Sequence, residues 1–176
     1  MIKLKKKTAF LVQSALIAAI YTVLTLIPGI SAISYGPIQC RIAEALCVLP
    51  MLTSAAIPGL FVGCILSNAL GVAMGLNPTG FVDILFGASA TLIAALVSYF
   101  LRNVAIKGFP ALSFLSPVIF NAVIIGAELA VFIPEAGAYW LNFTTVGIGE
   151  LIVICALGIP LFYICKRKNI FNKGRF

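Results

Sequence analysis

The sequence contains no histidine, and charged side chains make up only 10% of its 176 residues. Soluble domains carry roughly 25% charged residues because water must solvate their surfaces, whereas 62% of this chain is hydrophobic. That composition excludes a mainly water-exposed fold and leaves no polar stretch for a second domain. We therefore expect one integral membrane domain over residues 1–176.

Absent motifs exclude several kinds of chemistry. The five cysteines have no histidine partners and no paired metal-type spacing, which favours small packing side chains over a zinc or nucleophile site. No GxxxxGK motif occurs, so the chain has no P-loop with which to use ATP. The sequence thus predicts no enzyme activity, no metal and no cofactor.

Basic residues outnumber acidic residues by twelve to five, which gives a net charge of +7. In a soluble protein this excess would suggest a nucleic-acid partner. Here the basic residues cluster at the two termini and in one connection, between apolar runs, as membrane topology signals do. We predict a lipid bilayer as the surroundings and no nucleic acid as a partner.

Glycine and proline clusters divide the apolar sequence into six candidate transmembrane spans. At about 1.5 Å per residue most of them reach across the roughly 30 Å hydrocarbon layer. The second reaches only about 20 Å as an α-helix, and it is the doubtful one. The predicted spans are 8–27, 41–54, 56–75, 81–101, 112–133 and 141–165.

Charge placement favours six crossings over five. With both termini cytoplasmic, eleven of the twelve basic residues lie on the cytoplasmic side and only Arg41 lies outside. Without the second crossing, eight of them would lie outside, against the excess of Lys and Arg that marks cytoplasmic loops. We therefore predict an all-α protein with six transmembrane helices and cytoplasmic N- and C-termini.

The polar residues of these spans lie in the outer half or near the midplane. A charge at the centre of a membrane helix costs about 2.5 to 3.5 kcal/mol, so these side chains are expected to face inward. Asn121 and Glu128, seven residues apart, share one helical face. The pattern predicts a polar pocket that opens outward above apolar packing. Its candidate binding residues are Arg41, Glu44, Asn68, Asp83, Asn121, Glu128 and Glu150.

A structural role competes with ligand binding at the outer edge. Arg41 could form a buried ion pair with Glu44 or Asp83 that fixes helix register. Glu128 and Glu150 differ, because Arg41 is the only basic residue predicted in the outer half. At least one carboxylate should therefore need a proton, water or the hydrogen-bond donor of a ligand.

Several sequence blocks are more specific than composition. They are SYGPIQCRIAEAL at 34–46, IPGLFVGC at 57–64, DILFG at 83–87, PVIFNA at 117–122 and GEL at 149–151. In these blocks the chain resembles the QueT family, the substrate-binding S components of energy-coupling factor (ECF) transporters. The resemblance covers about residues 15–160.

The resemblance implies a bacterial cell-membrane protein with the six-helix fold of S components. It also implies uptake of a queuosine precursor, a 7-deazaguanine such as the 7-cyano or 7-aminomethyl base. One carboxylate, Glu128 or Glu150, could accept the N1 proton and the 2-amino group of such a base. Asn121 and Asn68 could serve its carbonyl or ring nitrogens. The implied energy source is a transmembrane coupling protein with two ATPase subunits.

Two further sets of residues have competing interpretations. Tyr35, Tyr139 and Trp140 could stack on a flat base, but aromatic residues also gather at membrane interfaces for their own reasons. By the resemblance, Ala15 and Ala19 are expected to contact the coupling protein, because small residues allow close helix approach. Packing within the chain is the alternative for that pair. The 29–39 loop is a candidate lid or a plain connection.

One other function remains open. A stand-alone, proton-coupled secondary transporter of a small polar or cationic solute would use Glu128 or Glu150 as a proton relay. Such transporters usually carry internal repeats or broken helices in matching halves. We find no convincing repeat in this sequence, which makes this alternative the weaker one.

Overall fold

The computed structural model describes residues 6–27, 34, 40–106 and 108–171. Within these ranges five helices are long and apolar enough to cross a membrane. Two short 3-10 helices accompany them, Ile42–Met51 and Pro134–Ala136, and the described ranges contain no β-strand. The long helices are α1 (Lys6–Leu26), α2 (Ala56–Ala73), α3 (Val82–Leu101), α4 (Ala111–Phe132) and α5 (Tyr139–Arg167). The all-α prediction is confirmed.

The doubtful second span is a single 3-10 helix. Its ten residues advance about 2.0 Å each, so Ile42–Met51 is about 20 Å long. It is shorter than the five helices that are long and apolar enough to cross a membrane. Six crossings and the orientation of the termini therefore stay predictions.

The 3-10 helix lies at the centre of the bundle. Consecutive long helices pack against each other, α1 on α2, α2 on α3, α3 on α4 and α4 on α5, and the 3-10 helix contacts all five. Every residue from Ala43 to Met51 is buried. The polar residues that open this helix are consequently held inside the bundle.

Helix α5 is continuous but contains a π-helical turn at Ile154–Gly158. Gly158 lies against the 3-10 helix, and a Cβ there would be 3.0 Å from a methyl of Val48 and 3.6 Å from the carbonyl oxygen of Ala45. The π-helical turn of α5 and the 3-10 helix therefore pack directly against each other. Below the polar residues, Val48 and Met51 pack with Phe114, Ile154 and Phe162.

Two glycines bring α2 close to α1. A Cβ at Gly59 would be 2.8 Å from the carbonyl oxygen of Ser14, and a Cβ at Gly63 would be 2.9 Å from the Cβ of Tyr21. Small residues allow this approach. The α1 face that carries Ile17, Ala18 and Tyr21 is therefore buried, while the opposite face is exposed.

The 3-10 helix runs antiparallel to α1. Near its start Tyr21 donates a hydrogen bond to Glu44, and just beyond its end Thr53 donates to Gln13 at 3.2 Å. The first residues of α1, the turn after the 3-10 helix, the end of α3 and Phe171 line one cavity. These segments therefore share one end of the bundle, which we call the basal end.

Candidate functional site

Asp83, in the first turn of α3, is bonded to three other side chains of the buried polar cluster. Its Oδ2 lies 2.7 Å from Nη2 of Arg41 and accepts a hydrogen bond from Nδ2 of Asn77, also at 2.7 Å. Nδ2 of Asn68 donates to the Asp83 carbonyl oxygen at 2.8 Å. The ion pair that the sequence allowed is present, and it joins the 3-10 helix to α2 and α3.

Glu44 is also held by protein donors. The Tyr21 hydroxyl donates to Oε1, and the Cys47 thiol donates to Oε2 at 2.8 Å. All three side chains are buried, with at most 1% of Glu44 exposed. Both carboxylate oxygens of Glu44 are thus engaged inside the protein.

The carboxylates on α4 and α5 are different. Glu128 is completely buried and Glu150 is 3% exposed. Neither oxygen of Glu128 makes a hydrogen bond of normal geometry to a described residue, although the Thr79 side chain lies near this carboxylate, and Oε2 of Glu150 has no partner among those residues. The same holds for Nδ2 of Asn121, which is 4% exposed. Buried polar groups are almost always hydrogen-bonded in native proteins, so these atoms are available for a ligand.

Arg41 connects the two groups of carboxylates. Glu128 lies within electrostatic range of Arg41 and Asp83, and Glu150 lies within range of Arg41 and Glu44. Four acidic side chains from four elements therefore surround one guanidinium. Burial of this excess of negative charge is costly unless protons or a donor-rich molecule compensate it.

A glycine makes room for the cluster. A Cβ at Gly87 would be 2.7 Å from Nδ2 of Asn68, 2.7 Å from Oδ1 of Asp83 and 3.6 Å from Nη1 of Arg41. Oδ1 of Asp83 and Oδ1 of Asn68 are buried without a hydrogen-bond partner in the described ranges. The absence of a side chain at Gly87 thus leaves these two acceptors beside the ion pair.

Sequence reasoning missed several of these residues. Gly87 follows Asp83 by four residues, and that helical spacing is the signal that could have found it. Asn77 sits in the turn before α3 and accepts hydrogen bonds from the backbone and hydroxyl of Thr79 at 3.1 and 2.7 Å. Tyr21 had no such signal, since it lies in an apolar run.

The predicted aromatic residues do not join the buried cluster. Trp140 is 72% exposed, and its ring packs against Tyr139 and Phe143 at centroid distances of 5.0 and 5.9 Å. Tyr35 lies outside the described residues, as does most of the 29–39 loop. Stacking, the lid and the outward opening of the pocket therefore stay predictions.

The predicted partner-contact residues lie on the surface. Ala15 and Ala19 are exposed on α1, beside the buried face that carries Ile17 and Ala18. They do not pack within the described part of the chain as those two residues do. No group of three or more Cys, Asp or Glu in that same part is arranged to hold a metal ion.

Comparisons with known proteins are consistent with this arrangement. A family model described as QueT transporter matches residues 11–167. A protein of Lactococcus lactis subsp. cremoris (strain MG1363) named queuosine precursor transporter QueT is 39% identical over 89 residues. That alignment covers 51% of this chain and 48% of the relative, so the match spans about half the length of each. No solved structure matches the chain.

Proposed function

The chain belongs to the QueT transporter family, and from this premise we propose that it is the membrane-embedded component that binds a queuosine precursor for uptake. The proposed ligand is a 7-deazaguanine such as the 7-cyano or 7-aminomethyl base. The name of the Lactococcus relative supports the substrate class. The observation that carries the proposal is the buried Glu128 carboxylate, whose two oxygens lack partners within the described ranges.

The hydrogen-bonding pattern of these atoms suits a guanine-like base. Its N1 proton and 2-amino group lie side by side, and the two Glu128 oxygens can accept both in a charge-assisted pair. Nδ2 of Asn121, about two turns away on the same face of α4, can donate to the ring carbonyl. Oε2 of Glu150 then remains to accept from a further donor on the base.

Electrostatics favour a ligand with many donors or a positive charge. Arg41 already pairs with Asp83 at 2.7 Å, and Tyr21 and Cys47 supply donors to Glu44. Both oxygens of Glu128 on α4 and Oε2 of Glu150 on α5 have no hydrogen-bond donor among the described residues. An aminomethyl cation near Glu150 would offset part of the remaining negative charge.

Single substitutions test this assignment. We expect Glu128→Gln and Glu150→Gln to weaken binding of 7-cyano- and 7-aminomethyl-7-deazaguanine by roughly 10- to 100-fold, since a hydrogen bond to a charged group contributes about 1.5 to 3 kcal/mol. Isothermal titration calorimetry on the full-length protein in detergent measures the change. Glu135→Gln, an exposed carboxylate in the α4–α5 connection, is the matched control. Unchanged affinity in both buried variants would refute the assignment.

We also propose that the 3-10 helix is the second of six crossings and that both termini are cytoplasmic. The antiparallel course of Ile42–Met51 along α1 supports this topology. The basal end carries Lys6, Arg102 and Phe171 around one cavity, which agrees with a basic cytoplasmic side. Cysteine labelling from outside intact cells tests it: Ser54→Cys at the basal end should be inaccessible and Glu135→Cys should react.

Energy is proposed to come from a separate ECF module of a transmembrane coupling protein and two ATPase subunits. The exposed Ala15 and Ala19 form a surface that a partner helix can approach closely. We expect Ala15→Leu and Ala19→Leu to reduce co-purification with the coupling protein while deazaguanine affinity stays unchanged. Ala156→Leu, an exposed alanine on α5, is the control.

Reconstitution separates this proposal from self-sufficient transport. Liposomes that contain the chain together with the ECF module should take up the base only when ATP is supplied. Liposomes with the chain alone should show no uptake under a proton gradient. Uptake in the second case would instead favour the proton-coupled transporter.

A further inference from the structure

A polar cavity lies at the basal end, and none of the four buried carboxylates lines it. Its volume is about 390 Å³, and its described lining comes from the start of α1, the turn after the 3-10 helix, the end of α3 and Phe171. A cavity of this size is within the usual range for small-molecule sites. Its charged lining residues, among those described, are Lys6 and Arg102.

The Arg102 side chain is held in place by Tyr99. Its Nη1 donates a hydrogen bond to the Tyr99 carbonyl oxygen at 2.7 Å, and its guanidinium carbon lies 3.7 Å from the centre of the Tyr99 ring. An arginine fixed in this way keeps a planar set of donors for phosphate or carboxylate. It therefore has the properties of an anion-binding group.

No acidic residue neutralises the cavity from within its described lining. The five acidic residues of the sequence all lie elsewhere: in the 3-10 helix Ile42–Met51, at the start of α3, in α4, in the short 3-10 helix Pro134–Ala136 and in α5. The one ion pair among the described residues is that of Arg41 and Asp83. Lys6 and Arg102 consequently form a cationic pair that an external anion can complement.

A shallow, largely open apolar groove on the start of α1 adjoins the cavity. It measures about 400 Å³, is lined by Lys6, Lys7, Phe10 and Leu11, and shares Lys6 and Phe10 with the polar cavity. Phe10 is 40% and Leu11 66% exposed. The lysine stems add apolar surface. The polar cavity is thus continuous with the exposed apolar face of α1.

We propose that the two cavities together bind one anionic phospholipid. The phosphate lies between Lys6 and Arg102, where charge-assisted hydrogen bonds are strongest. Gln13 and Thr53 line the same cavity and supply polar atoms for the glycerol part of the headgroup. One acyl chain follows Phe10 and Leu11 along the outside of α1. A small soluble anion would use the cations but not the apolar groove, which favours the lipid.

The test measures lipid retention on the full-length protein. Native mass spectrometry of the detergent-solubilised protein, titrated with dioleoylphosphatidylglycerol, gives the affinity of the first bound lipid. We expect the K6Q/R102Q variant to lose roughly 30-fold in affinity, since each basic residue near a membrane surface contributes about a fivefold factor. The R167Q/K168Q control removes the same charge from exposed positions at the end of α5 and should change affinity less than about twofold. Equal losses in both variants would overturn the proposal.

Two further measurements keep the proposal falsifiable if charge removal disturbs folding. Ser54→Trp fills the cavity and keeps both cations, so it should also weaken phosphatidylglycerol binding while the unfolding temperature stays within a few degrees. Unchanged binding there would contradict the site. Dioleoylphosphatidylcholine should bind at least tenfold more weakly than phosphatidylglycerol. Displacement of the lipid by equimolar inorganic phosphate would reveal a small-anion site and would also overturn the proposal.

Discussion

Glu44 and Glu128 are both buried carboxylates, but their surroundings differ. Glu44, on the central 3-10 helix, accepts hydrogen bonds from Tyr21 and Cys47. Glu128, on α4, has two oxygens without a donor among the described residues. Burial alone therefore does not identify a binding residue. What separates structural from ligand-binding carboxylates here is whether the protein itself supplies their donors.

The same contrast extends to whole regions. The side formed by the 3-10 helix, α2 and the start of α3 is cross-linked by the Arg41–Asp83 pair and by Asn68 and Asn77. On the facing side, formed by α4 and α5, both oxygens of Glu128, Oε2 of Glu150 and Nδ2 of Asn121 have no hydrogen-bond partner among the described residues. On the first side, Asp83 and Asn68 each leave one oxygen unpartnered within the described ranges. We expect substitutions on the first side to affect stability and those on the second side to affect binding.

The largest effect on stability is expected from Arg41→Gln. Removal of one partner from a buried ion pair costs about 3 to 5 kcal/mol because the other charge is left uncompensated. Unfolding in detergent, followed by circular dichroism, should occur at a clearly lower temperature. Arg167→Gln, an exposed arginine at the end of α5, should leave it unchanged. Equal unfolding temperatures of the two variants would contradict a stabilising role for the Arg41–Asp83 ion pair.

A smaller effect is expected from Gly87→Ala. The added Cβ would meet Asn68 and Asp83 at 2.7 Å, and overpacking of this kind costs about 1 to 3 kcal/mol. Gly147→Ala is the control, because its nearest atom is the Ala122 Cβ at 3.4 Å. There the better helix propensity of alanine should stabilise by about 0.5 to 1 kcal/mol. A lower unfolding temperature for Gly87→Ala together with a higher one for Gly147→Ala would support the tight packing of the cluster. A higher unfolding temperature for Gly87→Ala would contradict it.

Tyr21→Phe should destabilise the protein no more than Gly87→Ala does. The change deletes one donor to Glu44 and keeps the ring packing, so the expected loss of stability is about 1 to 3 kcal/mol at most. Thermal unfolding measures the loss. Tyr163→Phe, on the exposed surface of α5, is the matched control. If the two variants unfold at the same temperature, the Tyr21–Glu44 hydrogen bond does not contribute to stability.

The smallest effect on stability is expected from Glu128→Gln without ligand. An uncompensated buried carboxylate becomes a neutral amide, so the free energy of unfolding should stay the same or rise. The same variant should lose deazaguanine affinity, as proposed above. A strong destabilisation of the ligand-free protein would place Glu128 with Glu44 among the structural carboxylates.

The long helices could be predicted from the sequence because membrane thickness dictates the length of an apolar run. The expected span 56–75 corresponds to Ala56–Ala73 and 81–101 to Val82–Leu101. The position of the second span could be predicted from the sequence, but its 3-10 conformation could not. Its 3-10 geometry depends on packing with the surrounding helices, which composition and periodicity do not reveal.

The candidate site could be predicted in part for a similar reason. The cost of a charge in lipid implies that Glu128 and Glu150 face inward, and both are buried. The donors to Glu44 could not be foreseen, since Tyr21 comes from another helix and its approach depends on the α1 packing. The close packing against Gly87 likewise becomes visible only when Asn68 and Asp83 are brought together.

The geometry of the central helix also determines which side chains line up along it. In a 3-10 helix, residues three apart eclipse one another, so Glu44, Cys47 and Pro50 lie in one straight column. The thiol of Cys47 reaches the Glu44 carboxylate for this reason. The same three residues in an α-helix would be rotated by about 60° at each step. The threefold screw of Ile42–Met51 therefore keeps the Cys47 thiol in line with the Glu44 carboxylate, and rewinding the segment as an α-helix would turn the thiol away.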